Sequence, residues 1–474
     1  MNLRDLVPRA ARVRPGAVAV ADLTGALTYA ELDDRAAEVA AALAARGLGR
    51  SDRVVLWGQK SAELVAVMQA VLRLGAVYVP VSPMNPPDRV RRIAADCAAA
   101  LLVTDRPDDL PAGPPAVTPA GLRSTARVPL VPVGPDDPVY LLYTSGSTGM
   151  PKGVVLTDRN ATAFVEWAYA TTGLRPGDRL ANHASFNFDL SVFDLYAAFR
   201  AGARVQLIPE TLGQVAPLLN DLIEDTGITV WYSVPSVLIR MMDAGLLDRD
   251  PGTLRCCVFA GEPFPPAAVR RLRAAWPGVR MFNWYGPTET NVCTSYEVTA
   301  TDLHRTGPLP IGSACCGDTV ELAPDGEILV SGPTVMPGYW GGPRRTGPYR
   351  TGDLGRRDAD GLLHFLGRRD DLAKVRGHRV EPGEIEVVLG EHDDIDRAAV
   401  LVAGSGPDAR IHAVVRPRAG RGPGLAELRS FCAERLPLYM LIDELHLVDA
   451  LPVNANGKLD RARLAAHVHP GGPR

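Results

Sequence analysis

The chain has 474 residues, more than a single compact core usually holds, so we expect two or more domains. Hydrophobic residues make up 46% of it, charged residues 22%, and the formal net charge is −3, a balance that gives no reason to expect a nucleic-acid-binding or membrane-binding surface. No apolar run approaches the roughly 20 residues of a membrane span and no signal peptide opens the chain, so we expect a cytoplasmic protein.

The first hundred residues alternate between helical and strand patterns. Thr28, with Glu31 three residues later, predicts the start of an alanine-rich helix. An apolar run at 53–57 predicts a buried strand, 63–74 predicts a helix, and 76–80 predicts another strand. This alternation predicts a largely parallel sheet covered by helices.

Changes of pattern divide the rest of the chain into segments. Residues 105–138 are rich in Pro, Gly and Asp and predict a loop or linker. The α/β pattern resumes over 139–278, whereas the short apolar runs of 320–365, separated by Gly and Pro, predict a small β subdomain. After residue 370 the pattern is α+β, with a helix over 425–434.

Lysine is rare in this chain. Only four of the 51 basic residues are lysines, at positions 60, 152, 374 and 458, and the others are arginines. Arginine does not replace lysine where a compact cation is needed, so a lysine kept beside or near a glycine is a candidate for chemistry. Lys152, Lys374 and Lys458 meet this description. We assign no chemical role to Lys60.

The strongest motif spans residues 143–153 and reads Tyr-Thr-Ser-Gly-Ser-Thr-Gly-Met-Pro-Lys-Gly. Its small residues let the backbone wrap around an anion, and main-chain N–H groups and hydroxyls then donate to phosphate oxygens. Pro151 before Lys152 and Gly153 after it exclude a Walker A loop. The alternative is a flexible surface loop, but such a loop has no need for this density of hydroxyls ahead of a rare lysine.

This segment resembles the phosphate loop of the adenylate-forming superfamily, which comprises acyl-CoA synthetases, luciferases and the adenylation domains of nonribosomal peptide synthesis. Further motifs resembling those of the family follow in the expected order and cover nearly the whole chain: 283–289 (Asn-Trp-Tyr-Gly-Pro-Thr-Glu), 349–354 (Tyr-Arg-Thr-Gly-Asp-Leu), 367–370 (Gly-Arg-Arg-Asp), 376–386 (Arg-Gly-His-Arg-Val-Glu-Pro-Gly-Glu-Ile-Glu) and 456–461 (Asn-Gly-Lys-Leu-Asp-Arg). Six motifs in order are far more specific than any one of them.

The resemblance implies an enzyme that uses ATP and Mg²⁺ to activate a carboxylic acid as an acyl-AMP. Catalysis of such a step is mostly positioning and stabilisation of the charge that grows on the phosphoryl oxygens. By resemblance, Lys458 reaches the carboxylate and the α-phosphate, Thr288 donates to the α-phosphate, and Glu289 holds Mg²⁺. Asp353 accepts from the ribose hydroxyls, supported by Arg368. The nucleotide-binding set implied in this way is Thr144, Ser145, Gly146, Ser147, Thr148, Gly149, Lys152, Gly261, Glu262, Asn283, Trp284, Tyr285, Gly286, Asp353, Arg368 and Lys374.

Several of these residues have a structural alternative when they are taken singly. Lys458 could be a solvated tail residue, Asp353 could cap a turn, and Tyr285 could be a packed aromatic side chain in a turn. These alternatives compete with the functional interpretation for single residues. They do not account for the ordered set.

The resemblance also implies the architecture. We expect an α/β fold whose large N-terminal domain, residues 1–369, contains two doubly wound α/β subdomains and a small β-barrel-like subdomain. A small, mobile α+β C-terminal domain, residues 370–474, would swing between one pose that makes the adenylate and another that transfers the acyl group to a thiol. Asp370 would be the hinge, and Gly377 would face the thiol tunnel in the second pose. The alternative for Asp370 is an exposed loop acid.

The segment 188–193, Phe-Asp-Leu-Ser-Val-Phe, resembles the pocket motif of the amino-acid-activating members, in which the acid binds the substrate amine. An acid among apolar residues is costly to bury unless a cation compensates it, and a substrate ammonium would do so. Asp189 therefore favours an α-amino acid over a simple acyl acid. The alternative is that Asp189 caps the following helix.

Motif-to-motif alignment extends the pocket to residues that carry no formal charge at neutral pH. A pocket of this kind favours a small, mostly apolar substrate. The pattern is similar to that of stand-alone prolyl adenylation enzymes, except that Trp284 stands where a smaller aliphatic residue is expected. Alanine, including its D form, another cyclic imino acid or a small β-amino acid would also fit. The predicted substrate-binding set is Asp189, Leu190, Phe193, Tyr232, Val258, Ala260, Trp284, Val292 and Cys293.

The acceptor of the acyl group is expected to be a separate carrier protein bearing a phosphopantetheine thiol, because too few residues follow Lys458 to form a carrier domain. Two other functions compete with this one. An acyl- or aryl-CoA synthetase is disfavoured by Asp189, and a non-catalytic ATP-binding module is disfavoured by the presence of every motif residue that the reaction needs. His183 could lie near the acyl site or pack in the core.

Overall fold

The computed structural model describes residues 1–110, 113–146, 150–369, 372–375, 377–404, 408–418, 422–452, 463, 464 and 468. The chain divides into two compact units. The first comprises Met1–Pro83, Ala94–Tyr143 and Gly153–Arg369, and the second comprises Met84–Ile93, Thr144–Lys152 and Asp370–Arg474. The segments 84–93 and 144–152, which the sequence division assigns to the large domain, thus group with the second unit.

Helices and strands alternate through the first 369 residues. The helices there are α1 (Leu6–Val13), α2 (Tyr29–Ala44), α3 (Ala62–Arg73), α4 (Pro87–Asp96), α5 (Asp158–Thr172), α6 (Leu190–Val192), α7 (Ala198–Ala201), α8 (Ala216–Thr226), α9 (Pro235–Asp243) and α10 (Pro266–Ala275). A π-helical segment, Phe193–Ala197, joins α6 to α7.

The strands of the same part of the chain, from β1 to β19, form three sheets. They are β1 (Val18–Ala21), β2 (Ala26–Thr28), β3 (Arg53–Trp57), β4 (Val77–Val81), β5 (Leu101–Thr104), β6 (Ala116–Val117), β7 (Pro138–Thr144), β8 (Lys152–Thr157), β9 (Arg179–Asn182), β10 (Arg204–Leu207), β11 (Val230–Ser233), β12 (Cys256–Ala260), β13 (Arg280–Tyr285), β14 (Thr294–Val298), β15 (Ser313–Ala314), β16 (Thr319–Leu322), β17 (Glu327–Ser331), β18 (Tyr349–Arg357) and β19 (Leu363–Arg368).

Two of these sheets are largely parallel, as the alternating pattern predicts. The six-stranded sheet has the order β6-β5-β3-β4-β7-β8, and its pairs from β6 to β7 are parallel. The nine-stranded sheet has the order β15-β14-β13-β12-β11-β9-β10-β1-β2, parallel from β13 to β1 and antiparallel at both edges. The parallel strands of these two sheets are nearly continuous apolar runs, because helices cover both faces of such sheets.

The predicted start of the second helix is confirmed. Thr28 lies at the N-cap of α2, where its side chain accepts from the Glu31 N–H at 3.3 Å and the Glu31 carboxylate accepts from the Thr28 N–H at 2.8 Å. This reciprocal pair satisfies two backbone donors that have no partner within the helix. The predicted strand at 53–57 and the helix and strand that follow it are also confirmed within one or two residues.

The loop predicted at 105–138 contains two short 3-10 helices, Pro107–Asp109 and Pro119–Gly121, and a strand that the sequence does not predict. Strand β6 is only two residues long, and it extends the six-stranded sheet by pairing in parallel with Leu102 and Val103 of β5. Two residues are too few to show the alternating pattern that predicts a strand. This strand forms because the edge of β5 offers it hydrogen-bond partners.

The predicted small β subdomain is a four-stranded antiparallel sheet of order β16-β17-β18-β19. Its apolar face packs with Tyr285 and Cys293 in one cluster of buried residues. Strands β16 and β19 stand at the two ends of this order, and Leu363 of β19 also forms an antiparallel bridge with Gly312.

The second unit has its own core and the predicted α+β composition. Its strands are β20 (Ala373–Val375), β21 (His378–Val380), β22 (Ile395–Ala403), β23 (Arg410–Pro417) and β24 (Glu444–Leu447), and its helices after residue 369 are α11 (Pro382–Gly390) and α12 (Leu425–Ala433). Strands β22, β23 and β24 form a three-stranded sheet in that order. Among the helices that the structure describes in either unit, none combines the length and the apolar character needed to cross a membrane.

A buried ion pair lies inside the second unit. Arg89 of α4 hydrogen-bonds to Oε1 of Glu384 in α11, and the two side chains are 5% and 2% exposed. The other carboxylate oxygen, Oε2, is buried without a hydrogen-bond partner among the described residues. Removing each charge from water costs several kcal/mol, and the attraction between the two charges offsets about this much. Either charge buried without its partner would therefore be strongly destabilising.

We therefore expect Arg89→Leu to destabilise the second unit by about 3–5 kcal/mol, because it leaves the buried Glu384 carboxylate without a cation. Amide hydrogen exchange of α11 and β22, followed by mass spectrometry, should become faster in this variant. Arg91→Leu is the matched control, because Arg91 is 41% exposed and pairs with Asp88 at the surface, where such a pair contributes about 1 kcal/mol or less. Equal protection in the two variants would show that the buried pair does not stabilise this unit.

Candidate active site

A carboxylate, a phenol and a guanidinium meet at the end of the first unit's small β sheet. Tyr285, the last residue of β13, donates from its hydroxyl to Asp353 Oδ2 at 2.6 Å. Arg368, opposite Asp353 in the β18–β19 pairing, hydrogen-bonds to Asp353 Oδ1. Asp353 lies within strand β18, so the alternative that it caps a turn is wrong. Burial, followed by the Asp353 carboxylate, raises the pKa of Tyr285 well above 10, which keeps the phenol a hydrogen-bond donor.

The loop after β13 folds back tightly at Gly286. A Cβ atom there would lie 1.6 Å from the carbonyl oxygen of Asn291, so no other residue fits without a shift of the backbone. This turn carries Thr288, which is partly buried, and Glu289, which is fully buried. Oε1 of Glu289 accepts from the Tyr339 hydroxyl at 2.7 Å, a contact that the sequence analysis missed.

Other residues assigned to the nucleotide lie at the ends of neighbouring parallel strands. Asn283 of β13 donates from Nδ2 to the carbonyl of Pro310 at 2.8 Å. Gly261 follows β12 with φ +90°. The next residue, Glu262, accepts from the Ser236 N–H at the start of α9 at 3.0 Å. Its other oxygen, Oε1, is buried without a hydrogen-bond partner among the described residues, which leaves an acceptor for a ligand donor.

The described part of the predicted phosphate loop belongs to the second unit. Ser145 donates from Oγ to the Arg379 carbonyl at 2.9 Å. A Cβ at Gly146 would lie 2.0 Å from the Met150 carbonyl oxygen, so no side chain fits at position 146 without a shift of the backbone. The predicted residues of this unit also include Thr144 and Lys152, at the ends of β7 and β8, and Lys374, opposite Arg379 in the β20–β21 hairpin. Outside the described residues lie Ser147, Thr148, Gly149, Asp370 and Lys458.

Asp189 stands directly before helix α6, and its side chain makes no capping hydrogen bond to that helix. The alternative that it serves as a helix cap is therefore wrong. The helix passes from α6 into the π-helical segment at Phe193, and single π-helical turns are frequent at functional sites. Asp189 is partly buried, whereas Leu190 and Phe193 are fully buried.

Three rings that the sequence places in the acyl pocket pack edge to face. The ring centroids of Phe193, Tyr232 and Trp284 lie 5.2–5.6 Å apart, and their planes cross at 72–88°. We call these three rings the aromatic box. Trp284 is 1% exposed and is backed by Trp167 at 5.0 Å, so it fills the volume that a smaller aliphatic residue would leave open.

The aromatic box adjoins strand β12 of the nine-stranded sheet and the Asp189 carboxylate. Val258 and Ala260 of β12 lie on the same strand face, in register with two members of the box, Tyr232 of β11 and Trp284 of β13. Burial raises the pKa of Tyr232 well above 10, and the nearby carboxylates of Asp189 and Asp194 raise it further. An acid thus stands close to a box of uncharged rings.

The structure separates Val292 and Cys293, two residues adjacent in sequence that are predicted to line the pocket. Val292 packs in the large core that contains the aromatic box. Cys293 packs with Tyr285 in the cluster under the small β sheet, and its Sγ contacts the Tyr285 carbonyl at 3.5 Å. The two side chains point to opposite faces because they follow each other at the start of an extended segment.

Lys60, to which the sequence analysis gave no role, is fully buried at the carboxyl end of β9. Its Nζ donates to the carbonyls of Asn182, His183 and Ala184 at 3.0, 2.9 and 3.1 Å. Burial lowers the pKa of Lys60 to about 8, while the Glu210 and Asp194 carboxylates oppose this shift. The ammonium therefore tethers the start of the 183–189 loop that leads to the acyl pocket. The rarity of lysine in this arginine-rich chain was the one signal in the sequence that could have pointed to a role for Lys60.

His183 belongs to this tether rather than to the pocket. Its Nε2 lies 3.2 Å from the Gly213 carbonyl, and its ring packs against Trp231 with centroids 5.7 Å apart. Burial and then the Lys60 charge lower the pKa of His183 to about 4. A neutral imidazole therefore donates to the Gly213 carbonyl. Of the two alternatives for His183, a place near the acyl site or packing in the core, these contacts favour packing.

Comparison with known proteins identifies the family. A model described as AMP-binding enzyme matches residues 7–340, and one described as AMP-binding enzyme C-terminal domain matches residues 384–458. The chain belongs to the AMP-binding enzyme family. An L-proline–L-prolyl-carrier protein ligase of Pseudomonas fluorescens is 47% identical over 96% of this chain and 97% of that protein. A ligase of the same name from Streptomyces coelicolor is 40% identical over 94% and 92%.

A solved structure of similar fold is a mutant o-succinylbenzoate CoA synthetase of Bacillus subtilis. It matches with a TM-score of 0.87 and 25% identity, over 97% of this chain and 98% of that one. The expected α/β adenylate-forming fold, the assignment as a ligase and the use of ATP are confirmed by these comparisons.

We expect Lys60→Met to raise the KM of this AMP-binding enzyme for its acid substrate at least about tenfold, with a smaller change in the KM for ATP. The variant keeps an unbranched side chain but removes the three donors that hold the pocket loop, and hydrogen bonds from charged groups contribute about 1.5–3 kcal/mol each. Substrate-dependent exchange of pyrophosphate into ATP measures both constants. The matched control is Gln59→Met, since Gln59 is the exposed neighbour. If Lys60→Met folds and leaves both KM values unchanged, Lys60 does not position the loop.

Proposed function

We propose that this enzyme activates L-proline with ATP as prolyl-AMP, releasing pyrophosphate, and then transfers the prolyl group to the phosphopantetheine thiol of a separate carrier protein. The observation that carries the proposal is the Asp189 carboxylate beside the aromatic box. The names of the two relatives at 47% and 40% identity support the same substrate and acceptor.

The chemistry of the box favours a small amino acid. A carboxylate next to buried rings is costly unless a cation compensates it, and the ammonium of an amino acid supplies that cation. The three bulky rings of Phe193, Tyr232 and Trp284 favour a substrate with a short side chain. The saturated ring of proline fits against aromatic faces, which gain most from dense apolar contact. These features support an imino acid over a long-chain acyl acid.

The residues around Asp353 support nucleotide binding. Its carboxylate is held by Tyr285 and Arg368, so it is pre-oriented to accept from two vicinal ribose hydroxyls. Glu289 fits the Mg²⁺ that accompanies ATP in this family, since it offers a fully buried carboxylate and Mg²⁺ prefers oxygen donors. When bound, Mg²⁺ neutralises charge on the phosphates. We assign to Thr288, next to this carboxylate, a hydrogen bond to the α-phosphate.

The remaining assignments rest on the family motifs. We infer that Lys458 stabilises the charge that develops as the substrate carboxylate oxygen attacks the α-phosphorus and pyrophosphate leaves. Lys152 and the hydroxyls of the 144–149 loop would hold the departing phosphates. We place the boundary between the large and small domains at residues 369 and 370, with Asp370 as the hinge.

Two alternatives differ from this proposal in a measurable way. The same site would take D-alanine, another imino acid or a small β-amino acid if the box admits them. An acyl- or aryl-CoA synthetase would need no amine partner at Asp189, and the similar fold of a CoA synthetase makes free CoA the acceptor to test.

L-Proline should give strong ATP–pyrophosphate exchange, and Asp189→Ala should abolish it by removing the partner of the substrate ammonium. Charge-assisted hydrogen bonds of this kind contribute about 1.5–3 kcal/mol, and the buried cation left unpaired adds to the loss. The assay should cover the standard amino acids, D-alanine, small β-amino acids and simple carboxylic acids.

The matched control for this prediction is Asp225→Ala, because Asp225 is exposed at the end of α8. Its exchange rate should equal that of the wild type. Exchange with simple carboxylic acids only, followed by thioester formation with free CoA, would contradict the proposal and favour the CoA synthetase. Undiminished proline exchange in Asp189→Ala would contradict the role of Asp189.

Trp284→Leu should shift substrate preference toward larger apolar amino acids such as L-leucine by at least about tenfold relative to L-proline. Removing the indole opens volume in the box, and one or two methylenes in an apolar pocket change discrimination by about 1–3 kcal/mol. Pyrophosphate exchange with paired substrates measures the ratio. Trp276→Leu is the control, because Trp276 is equally buried but does not belong to the box. An unchanged ratio would mean that Trp284 does not limit substrate size.

A further inference from the structure

Two histidines and a glutamate meet on one face of the second unit's three-stranded sheet. Strands β23 and β24 pair in parallel, with His412 opposite Glu444 and Val414 opposite His446. Side chains two residues apart in a strand lie on the same face, and residues in register share that face. The backbone pairing therefore brings three metal-ligating side chains together, at positions that belong to none of the motifs of the adenylation reaction.

The separations of the three ligand atoms match a metal-binding geometry. Nδ1 of His412 lies 3.2 Å from Nε2 of His446 and 3.5 Å from Oε2 of Glu444, and the last two atoms are 3.8 Å apart. Bonds of about 2.0–2.1 Å to Zn²⁺ in a tetrahedral site place the ligand atoms about 3.4 Å from each other. The triangle already has nearly this size, so an ion could enter with small side-chain adjustments.

The surroundings of the three side chains allow an ion to bind and to reach the site. His412 is 4% exposed, whereas the side chains of His446 and Glu444 are 28% and 54% exposed. Leu401 of β22 lies opposite His412 and packs against an apolar cluster that includes Val414. Apolar packing on one side strengthens the attraction between a dication and its ligands, and the exposed side provides access.

The contact between the two rings is compatible with metal binding. At 3.2 Å, a single proton shared between Nδ1 of His412 and Nε2 of His446 accounts for the geometry without an ion. Metal ions replace such protons, because they bind the neutral imidazole nitrogen. The same pair of atoms can therefore hold either a proton or a metal ion.

A second group of potential ligands in this unit is a weaker candidate. His392, Asp394 and Glu427 also lie within reach of one another. Nδ1 of His392 already accepts from the Asp394 backbone N–H at 3.2 Å, and the two acids are exposed. This group supplies the control for the experiment below.

We propose that His412, Glu444 and His446 form a binding site for a divalent transition-metal ion, with Zn²⁺ as the preferred ion and water as the fourth ligand. Imidazole and carboxylate in tetrahedral arrangement suit Zn²⁺, whereas Mg²⁺ prefers six oxygen ligands. The site is thus distinct from the Glu289 carboxylate. An ion here cross-links β23 to the edge strand β24 and stabilises the second unit.

The test uses the full-length, metal-stripped and untagged protein, since a histidine tag would compete for the ion. Co²⁺ is the probe, because tetrahedral Co²⁺ absorbs visible light far more strongly than octahedral Co²⁺. We expect one Co²⁺ per chain, displaced by Zn²⁺, and a rise in the thermal unfolding midpoint with added Zn²⁺. His446→Ala should weaken Co²⁺ binding at least about 100-fold and Glu444→Gln about tenfold or more, since even indirect metal contacts are worth 10–100-fold.

His392→Ala, from the second group, should bind Co²⁺ as the wild type does. His446 and Glu444 are chosen for substitution because they lie at the surface, and the far-ultraviolet circular dichroism of each variant verifies its fold. Absence of Co²⁺ binding by the wild-type protein would overturn the proposal. So would binding that survives His446→Ala, or a sulfur-to-cobalt charge-transfer band, which would place the ion on cysteines.

Discussion

Carboxylates removed from water impose the strongest constraint on this molecule, because each must have a cation or hydrogen-bond donors beside it. Asp353 has the Tyr285 hydroxyl and the Arg368 guanidinium. Glu289 has the Tyr339 hydroxyl, and in the second unit Glu384 has Arg89. Each of these three acids thus has a donor from the chain. Under the proposed function a substrate ammonium and Mg²⁺ come to Asp189 and Glu289, so the same constraint bears on the acids of the proposed site as well.

The parallel sheets explain why the functional residues lie together in the first unit. In such sheets the carboxyl ends of neighbouring strands meet at one edge, where ligands bind. Tyr285 ends β13, with Asn283 two residues before it. Gly261 and Glu262 follow β12, and the loop toward Asp189 leaves β9. The carbonyls at the end of β9 need donors, and Lys60 supplies them from a different part of the chain. A buried ammonium with a lowered pKa is thus a structural tether here rather than a catalytic base.

The aromatic box shows how one substitution relative to the expected pattern changes a pocket. Trp284 meets the rings of Phe193 and Tyr232 edge to face, and Trp167 packs behind it. The indole is therefore enclosed by other buried rings and does not extend into solvent. Interiors packed this densely transmit any change of volume to their neighbours. Under the proposed function, substrate size therefore depends on the whole ring cluster and not on Trp284 alone.

The family and the α/β architecture could be predicted from the sequence alone, because ordered motifs such as 143–153 and 283–289 carry chemistry in their residue types. The nucleotide residues inferred from the same motifs stay predictions. The sequence also placed the start of α2, where the signal from Thr28 and Glu31 is local. Other features could be seen only in the folded chain: the contacts of Lys60 and His183, the separation of Cys293 from the box, the two-residue strand β6 and the meeting of His412 with Glu444 and His446. Each of these depends on contacts between residues distant in the chain, or on the face of a strand that a side chain occupies, and a single sequence contains neither kind of information.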